Sequence, residues 1–176
     1  MTHVDLSRVF EYYHGYINRV SENNLTKAFQ KHQTELLSAL DEIPEEKWDY
    51  RYAEGKWSIK EVVQHILDAE RIFGYRALCF ARKDKTPLPG FDENLYAETS
   101  RADQRSKQSL LEELEAVQKS SAQLFASFDE EQLEQNGIAN GKPAYVKAIG
   151  FILIGHALHH KHIIQERYLQ EKTTQA

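Results

Sequence analysis

Half of the eight histidines in this chain fall in one stretch, His156-Ala157-Leu158-His159-His160-Lys161-His162-Ile163. The stretch lies inside an apolar run from Val146 to Tyr168 with helical spacing. His156 and His160 are four residues apart, so on a helix one stands above the other on a single face. That face also carries Ile149, Leu153 and Ile163. Two imidazoles on a core stripe need partners, because an unpaired buried polar group costs roughly 2–7 kcal/mol. One cation satisfies both, and the spacing is that of the paired histidines of helical metal sites. His65 is the third histidine of interest. It occupies a second apolar stripe, Val62, His65, Ala69, Ile72 and Phe73, and a facing helix of a bundle can supply the ligand that an i, i+4 pair lacks. Together His65, His156 and His160 would offer three nitrogens and leave positions open for water or substrate, the pattern of a catalytic rather than a closed structural site. Imidazole suits zinc, nickel, copper or iron; a divalent transition metal, zinc or nickel first, is the expected cofactor. The plainer reading stays beside this one: a bundle whose core histidines are simply hydrogen-bonded.

The other polar candidates fare differently. His159 and His162 fall off the ligand face and are expected at the rim or in solvent. His32 shares an inner stripe and is a candidate supporting partner, whereas His3 and His14 carry no pattern. Glu61 lies one turn before His65 and is a possible base, but it also completes a helix-start signature with Ser58, which is the preferred reading. Glu70 is expected in a salt bridge. Arg76, eleven residues beyond His65, returns to its face about 16 Å along the axis; pairing with a carboxylate is favoured over steering an anionic substrate. Trp57 and the segment Phe91–Tyr96 could line a pocket mouth, with ordinary packing as the stronger expectation. Cys79, the one cysteine, sits in an apolar helical segment and reads as an inert core thiol.

Four long helical patterns must position these residues, and no stretch alternates convincingly like a strand. After an aromatic-rich lead-in to about Val20, the first runs from Glu22 to Asp41, with Leu25, Phe29, His32, Leu36 and Leu40 inward. Trp48 to Lys56 is a loop. The second opens at Ser58 and continues to about Arg82. A breaker, Lys85-Thr86-Pro87-Leu88-Pro89-Gly90-Phe91, starts a long connection to about Asp103. The third helix runs from Ser106 to Phe128, Asp129 caps a short turn to Gln135, and Gly137, Asn140, Gly141 and Pro143 form a loop. The fourth spans Val146 to about Glu171, and a tail from Lys172 to Ala176 is expected to fray. The fold class is all-α: a four-helix bundle with a long crossover after helix two, as a single domain over 1–176.

Composition narrows the function classes. The 176 residues carry a net charge of −5, with 28% charged and 41% hydrophobic residues, ordinary for a globular protein. No basic block supports a nucleic-acid partner. No apolar run approaches the roughly 20 residues of a membrane span, and Met-Thr-His-Val-Asp-Leu does not read as a signal peptide. A single cysteine rules out an internal disulfide framework. The expected location is cytoplasmic.

Two motifs resemble a known family. Trp57-Ser58-Ile59-Lys60-Glu61-Val62-Val63-Gln64-His65-Ile66-Leu67-Asp68-Ala69-Glu70 resembles the helix-two signature of the DinB-like (YfiT-like) four-helix proteins, and Gly155-His156-Ala157-Leu158-His159-His160 is similar to their C-terminal His-x-x-His-His motif. Both motifs stand in order on the helices where the family has them. The resemblance implies an unusual four-helix bundle, often a homodimer, with a divalent metal held by His65, His156 and His160. It also implies a metal-dependent hydrolase, or an S-transferase using a low-molecular-weight thiol, acting on a small molecule. Ile163 departs from the family, many of whose members have Gln or His three residues after the last ligand. That departure keeps a second reading in view, a metal-binding, stress-related protein without turnover.

Overall fold

A computed structural model describes residues 4–170; His3 and the tail from Lys172 lie outside the described residues. Four long helices make the body: α2 (Leu25–Asp41), α3 (Ile59–Ala81), α5 (Lys107–Ala126) and α7 (Val146–Ile163). Shorter helices are α1 (His14–Ile17), α4 (Glu93–Thr99) and α6 (Glu130–Leu133). The long helices form a closed ring in which α2 packs on α5 and α7, and α3 packs on α5 and α7. This is the four-helix bundle expected from the sequence.

Local chemistry sets the helix starts. The Asn24 side chain accepts from Lys27 N at 2.9 Å and starts α2, so Glu22 lies before the helix rather than in it. At α3, Ser58 Oγ accepts from Glu61 N at 3.2 Å while the Glu61 carboxylate accepts from Ser58 N at 2.6 Å, a reciprocal cap for two orphan amides. Ser106 starts α5 with a one-way cap, its Oγ accepting from Ser109 N at 3.1 Å.

Helix α7 is apolar on every side, with Ala148 to Gly155 all buried, as expected for a helix enclosed by neighbours. The lead-in, made of single helical turns and α1, covers the face of α7 that the ring leaves open. Gly155 permits this approach: a Cβ there would come within 2.0 Å of the Tyr16 carbonyl oxygen. The α-helix ends at Ile163, and a π-helical turn follows from Ile164 to Tyr168.

Two connections differ from expectation. The segment read as a plain loop before α7 is a β-hairpin, β1 (Asn136–Ala139) and β2 (Lys142–Tyr145), in antiparallel register with Ala139 opposite Lys142. Asn140 and Gly141 form its two-residue turn with φ of 52° and 67°, the left-handed pair that matches strand twist. The long crossover contains α4 and is tied to the hairpin: Leu88 N donates to Ile138 O and Asn140 N to Leu88 O, both at 2.9 Å. Hairpin, crossover and lead-in therefore meet beside the α3–α7 seam. No helix among the described residues is long and apolar enough to cross a membrane.

Candidate metal centre

Side chains from α3 and α7 converge at that seam. His65 Nε2 lies 3.0 Å from His156 Nε2, and His160 Nε2 lies 3.1 Å from the same atom. The three ligating atoms fall within 4.8 Å of one another. An imidazole nitrogen offers one in-plane position, holding either a proton or a lone pair. His156 Nε2 therefore cannot satisfy two neighbouring nitrogens with well-directed hydrogen bonds. One ion between them would use all three lone pairs. Separations of 3.0 and 3.1 Å let neighbouring nitrogens reach one ion at ordinary metal–nitrogen distances of roughly 2.0–2.1 Å, so the spacing is compatible with a shared cation.

The electrostatics agree with this donor set. Burial pushes the His65 pKa down to about 4, partly opposed by the charge of Glu93. Burial, then the proximity of His65 and His159, holds His160 at about 3. His156 is lowered well below the ordinary value, chiefly by burial and then by its histidine neighbours. At neutral pH all three are uncharged, the form in which imidazole ligates. Aromatic rings fix their positions: Trp57 packs on His65 at 4.9 Å between centroids, and Tyr16 meets His156 edge-on at 5.5 Å.

The trio opens into a cavity of about 540 Å³, within the range of small-molecule sites. Phe10, Tyr12, Tyr13 and Tyr16 of the lead-in form one wall, Phe73 and Arg76 of α3 another, and Phe91, Glu93, Asn140 and Lys142 the rim. Trp57 and Phe91 thus line the cavity as well as packing. Glu93 is the one carboxylate among the described lining residues; it lies in the Phe91–Tyr96 segment expected at the pocket mouth, where the aromatics and not the acid drew notice. The lead-in aromatics and the hairpin were also missed as site elements; the Asn140-Gly141 dipeptide was the available signal for the hairpin.

Several polar residues take other roles. His159 is half-buried on the cavity wall against Tyr16, at 5.4 Å between rings, and outside the converging trio. His162 is exposed and pairs with Glu166 at 3.2 Å. His32 is no support for the trio: it binds Glu22, at 2.7 Å, on the α2 side. His14 Nε2 reaches the carbonyls of Leu6 and Val9. Glu61 is held by its cap and by Arg51, which removes it as a base. Cys79 is a buried core thiol. Ile163 packs against the core near α2 and α3 rather than into the cavity.

Two expectations fail. Glu70 makes no salt bridge among the described residues; it is 3% exposed, and Oε1 has no hydrogen-bond partner among them. Its position on α3 turns it toward Gln118 and Phe29, away from the cations at the surface. Arg76 pairs with no carboxylate of the described residues; Nη2 donates instead to Pro89 O at 2.8 Å. The crossover carbonyl reaches it where no acidic side chain does.

Comparison with known proteins agrees with this architecture. The model of the DinB superfamily matches residues 28–164. A protein of Oceanobacillus iheyensis, provisionally named a metal-dependent hydrolase, is 27% identical over 146 residues, covering 76% of this chain and 78% of its own. The structure of YfiT from Bacillus subtilis, described as a probable metal-dependent hydrolase with an unusual four-helix bundle topology, superposes with a TM-score of 0.69 at 16% identity, covering 81% of this chain and 82% of that one. With a family match that spans most of its length and three histidines placed on the expected helices, this chain belongs to the DinB superfamily.

Proposed function

We propose that His65, His156 and His160 hold one divalent transition metal ion, zinc or nickel, and that the chain hydrolyses a small molecule bound in the adjoining cavity. The observation that carries this reading is the convergence of three neutral imidazole nitrogens, with no fourth ligand among the described residues, on an open cavity. A bound ion would supply Lewis acidity, polarising a substrate oxygen and lowering the pKa of water toward neutrality. The chain's own residues do the rest. Trp57 and Tyr16 hold the imidazoles and keep the inner end of the cavity apolar. Glu93, the one carboxylate among the described lining residues and near enough to oppose the pKa depression of His65, would be the group to accept a proton. The names of the two relatives favour hydrolysis; a low-molecular-weight thiol in place of water would make the same arrangement an S-transferase. The homodimer implied by the family resemblance belongs to this reading and is checked by light scattering.

The test is a panel of ester, amide and thiol-transfer substrates assayed with untagged, zinc- or nickel-loaded protein. Turnover that requires the metal and disappears in His65→Ala is the expected outcome. Metal binding without turnover on any substrate would instead favour the metal-binding, stress-related protein.

A further inference from the structure

Arg76 is 4% exposed yet lines the cavity. A guanidinium carries five donors and stays charged at all accessible pH values. Here one nitrogen is engaged by Pro89 O at 2.8 Å, and the plane lies over Phe73, 4.8 Å from the ring centroid. The Tyr13 hydroxyl beside it is a second hydrogen-bond neighbour but a neutral one, its pKa raised by burial, and no carboxylate of the described residues pairs with the guanidinium. An unpaired buried cation is costly, and burial alone gives no reason to keep one at a cavity wall. A second cation stands near it: Lys142 Nζ lies 4.4 Å from the Phe10 ring centroid and faces the same cavity. Glu93 is the one acid among the described lining residues and leaves the wall with a net positive charge.

We infer that Arg76, assisted by Lys142, forms an oxyanion subsite that selects substrates bearing a carboxylate or phosphate group at the end remote from the reacting bond. This rests on the reading of the histidine trio as the reacting end. Arg76 stands eleven residues from His65 on the same face of α3, about 16 Å along the axis, so the subsite and the histidines occupy opposite ends of one cavity. Phe73 and Tyr13 lie among the walls and suit an apolar or aromatic midsection. The free donors of Arg76 present the fork that matches two oxygens of one oxyanion. Arg76 is therefore a specificity residue, with no part in bond breaking.

The test uses the untagged full-length chain, with and without added zinc, and calorimetric binding of 4-phenylbutyrate against its uncharged amide. The acid is expected to bind about tenfold tighter or better, as a charge-assisted hydrogen-bond pair allows. Arg76→Gln should bring the acid to the affinity of the amide, Arg76→Lys should keep part of the preference, and the exposed Lys142→Gln should lose about two- to threefold. Zinc uptake should be unchanged in all three variants. Phenyl phosphate run alongside identifies which oxyanion is preferred, by the same dependence on Arg76. Equal affinity of acid and amide for the wild type, or a preference that survives Arg76→Gln, would overturn the subsite. A chain that takes up no zinc but still prefers the acid would break the metal reading and leave the subsite standing.

Discussion

His65 and Glu70 stand five residues apart on α3, both buried, and they face two different polar clusters. His65 meets His156 and His160, whose lone pairs converge beside a cavity of about 540 Å³. Glu70 turns toward α2 and α5, where Gln33, Gln118 and His32 surround a void of about 10 Å³ among Phe29, Leu36 and Leu153. In that second cluster neither Glu70 Oε1 nor Gln118 Oε1 has a donor among the described residues. Burial pushes the Glu70 pKa up to about 7, with the Ser121 hydroxyl opposing. One cluster thus has surplus lone pairs that a cation can use and an opening through which it can enter. The other is closed, and a proton is what relieves it. Convergence and access, rather than polarity in the core, separate a candidate site from a packing compromise.

The largest expected effect separates the clusters by metal. Zinc at about a thousand times its dissociation constant should stabilise the wild type by about 4 kcal/mol. His156→Leu should lose that increment entirely while its metal-free form is neutral or more stable. Thermal unfolding with and without zinc measures both. A wild type indifferent to zinc would reduce the trio to packing histidines.

The pH signatures should be opposite in sign. The folded-state pKa values of His65 and His160, about 4 and about 3, lie below the ordinary imidazole value of 6.5. Their contribution is present above pH 6.5 and lost as the pH falls toward 3, because the unfolded chain binds the extra protons. Taken singly, each shift corresponds to a loss on the order of 3–5 kcal/mol in metal-free protein. Glu70 behaves in reverse. Its folded pKa of about 7 exceeds the ordinary carboxylate value of 4.5, so its contribution is present below pH 4.5 and lost as the pH rises to 7. Glu70→Gln should therefore stabilise the protein at pH 8 by about 1–3 kcal/mol and leave zinc affinity unchanged. Urea unfolding at pH 5 and pH 8 checks this; an equal effect at both pH values would show that Glu70 acts through shape alone.

The sequence was informative where one helix face decides the outcome. The Ser58–Glu61 cap, the α3 stripe through His65 and the four-residue spacing of His156 and His160 all depend on local geometry, and all three reappear in the structure. Glu70 and Arg76 were misread because a helical wheel gives direction but not the neighbour met there. Helix α7 was less informative than it looked, since every face of it is apolar and its inward stripe discriminates little. The hairpin escaped because its strands are four residues long and contain Gly137 and Pro143, which obscure alternation. The lead-in escaped because its single turns are too short for periodicity, yet they bring Tyr13 and Tyr16 to the cavity.

The smallest expected effect marks the edge of the site. His159 touches the Tyr16 and His160 rings but does not converge with the trio. His159→Ala should change zinc affinity by less than about threefold, against the 10-fold or greater loss typical when a residue supporting a ligand is removed. A larger loss, read by competition with a chelating dye, would extend the centre to a fourth histidine.

Metal content per chain, measured by mass spectrometry on untagged protein after zinc loading and desalting, tests the central claim most directly. One ion per wild-type chain and none in His65→Ala is the expected result. No retained metal in the wild type, or equal retention in the variant, would contradict a centre built by His65, His156 and His160.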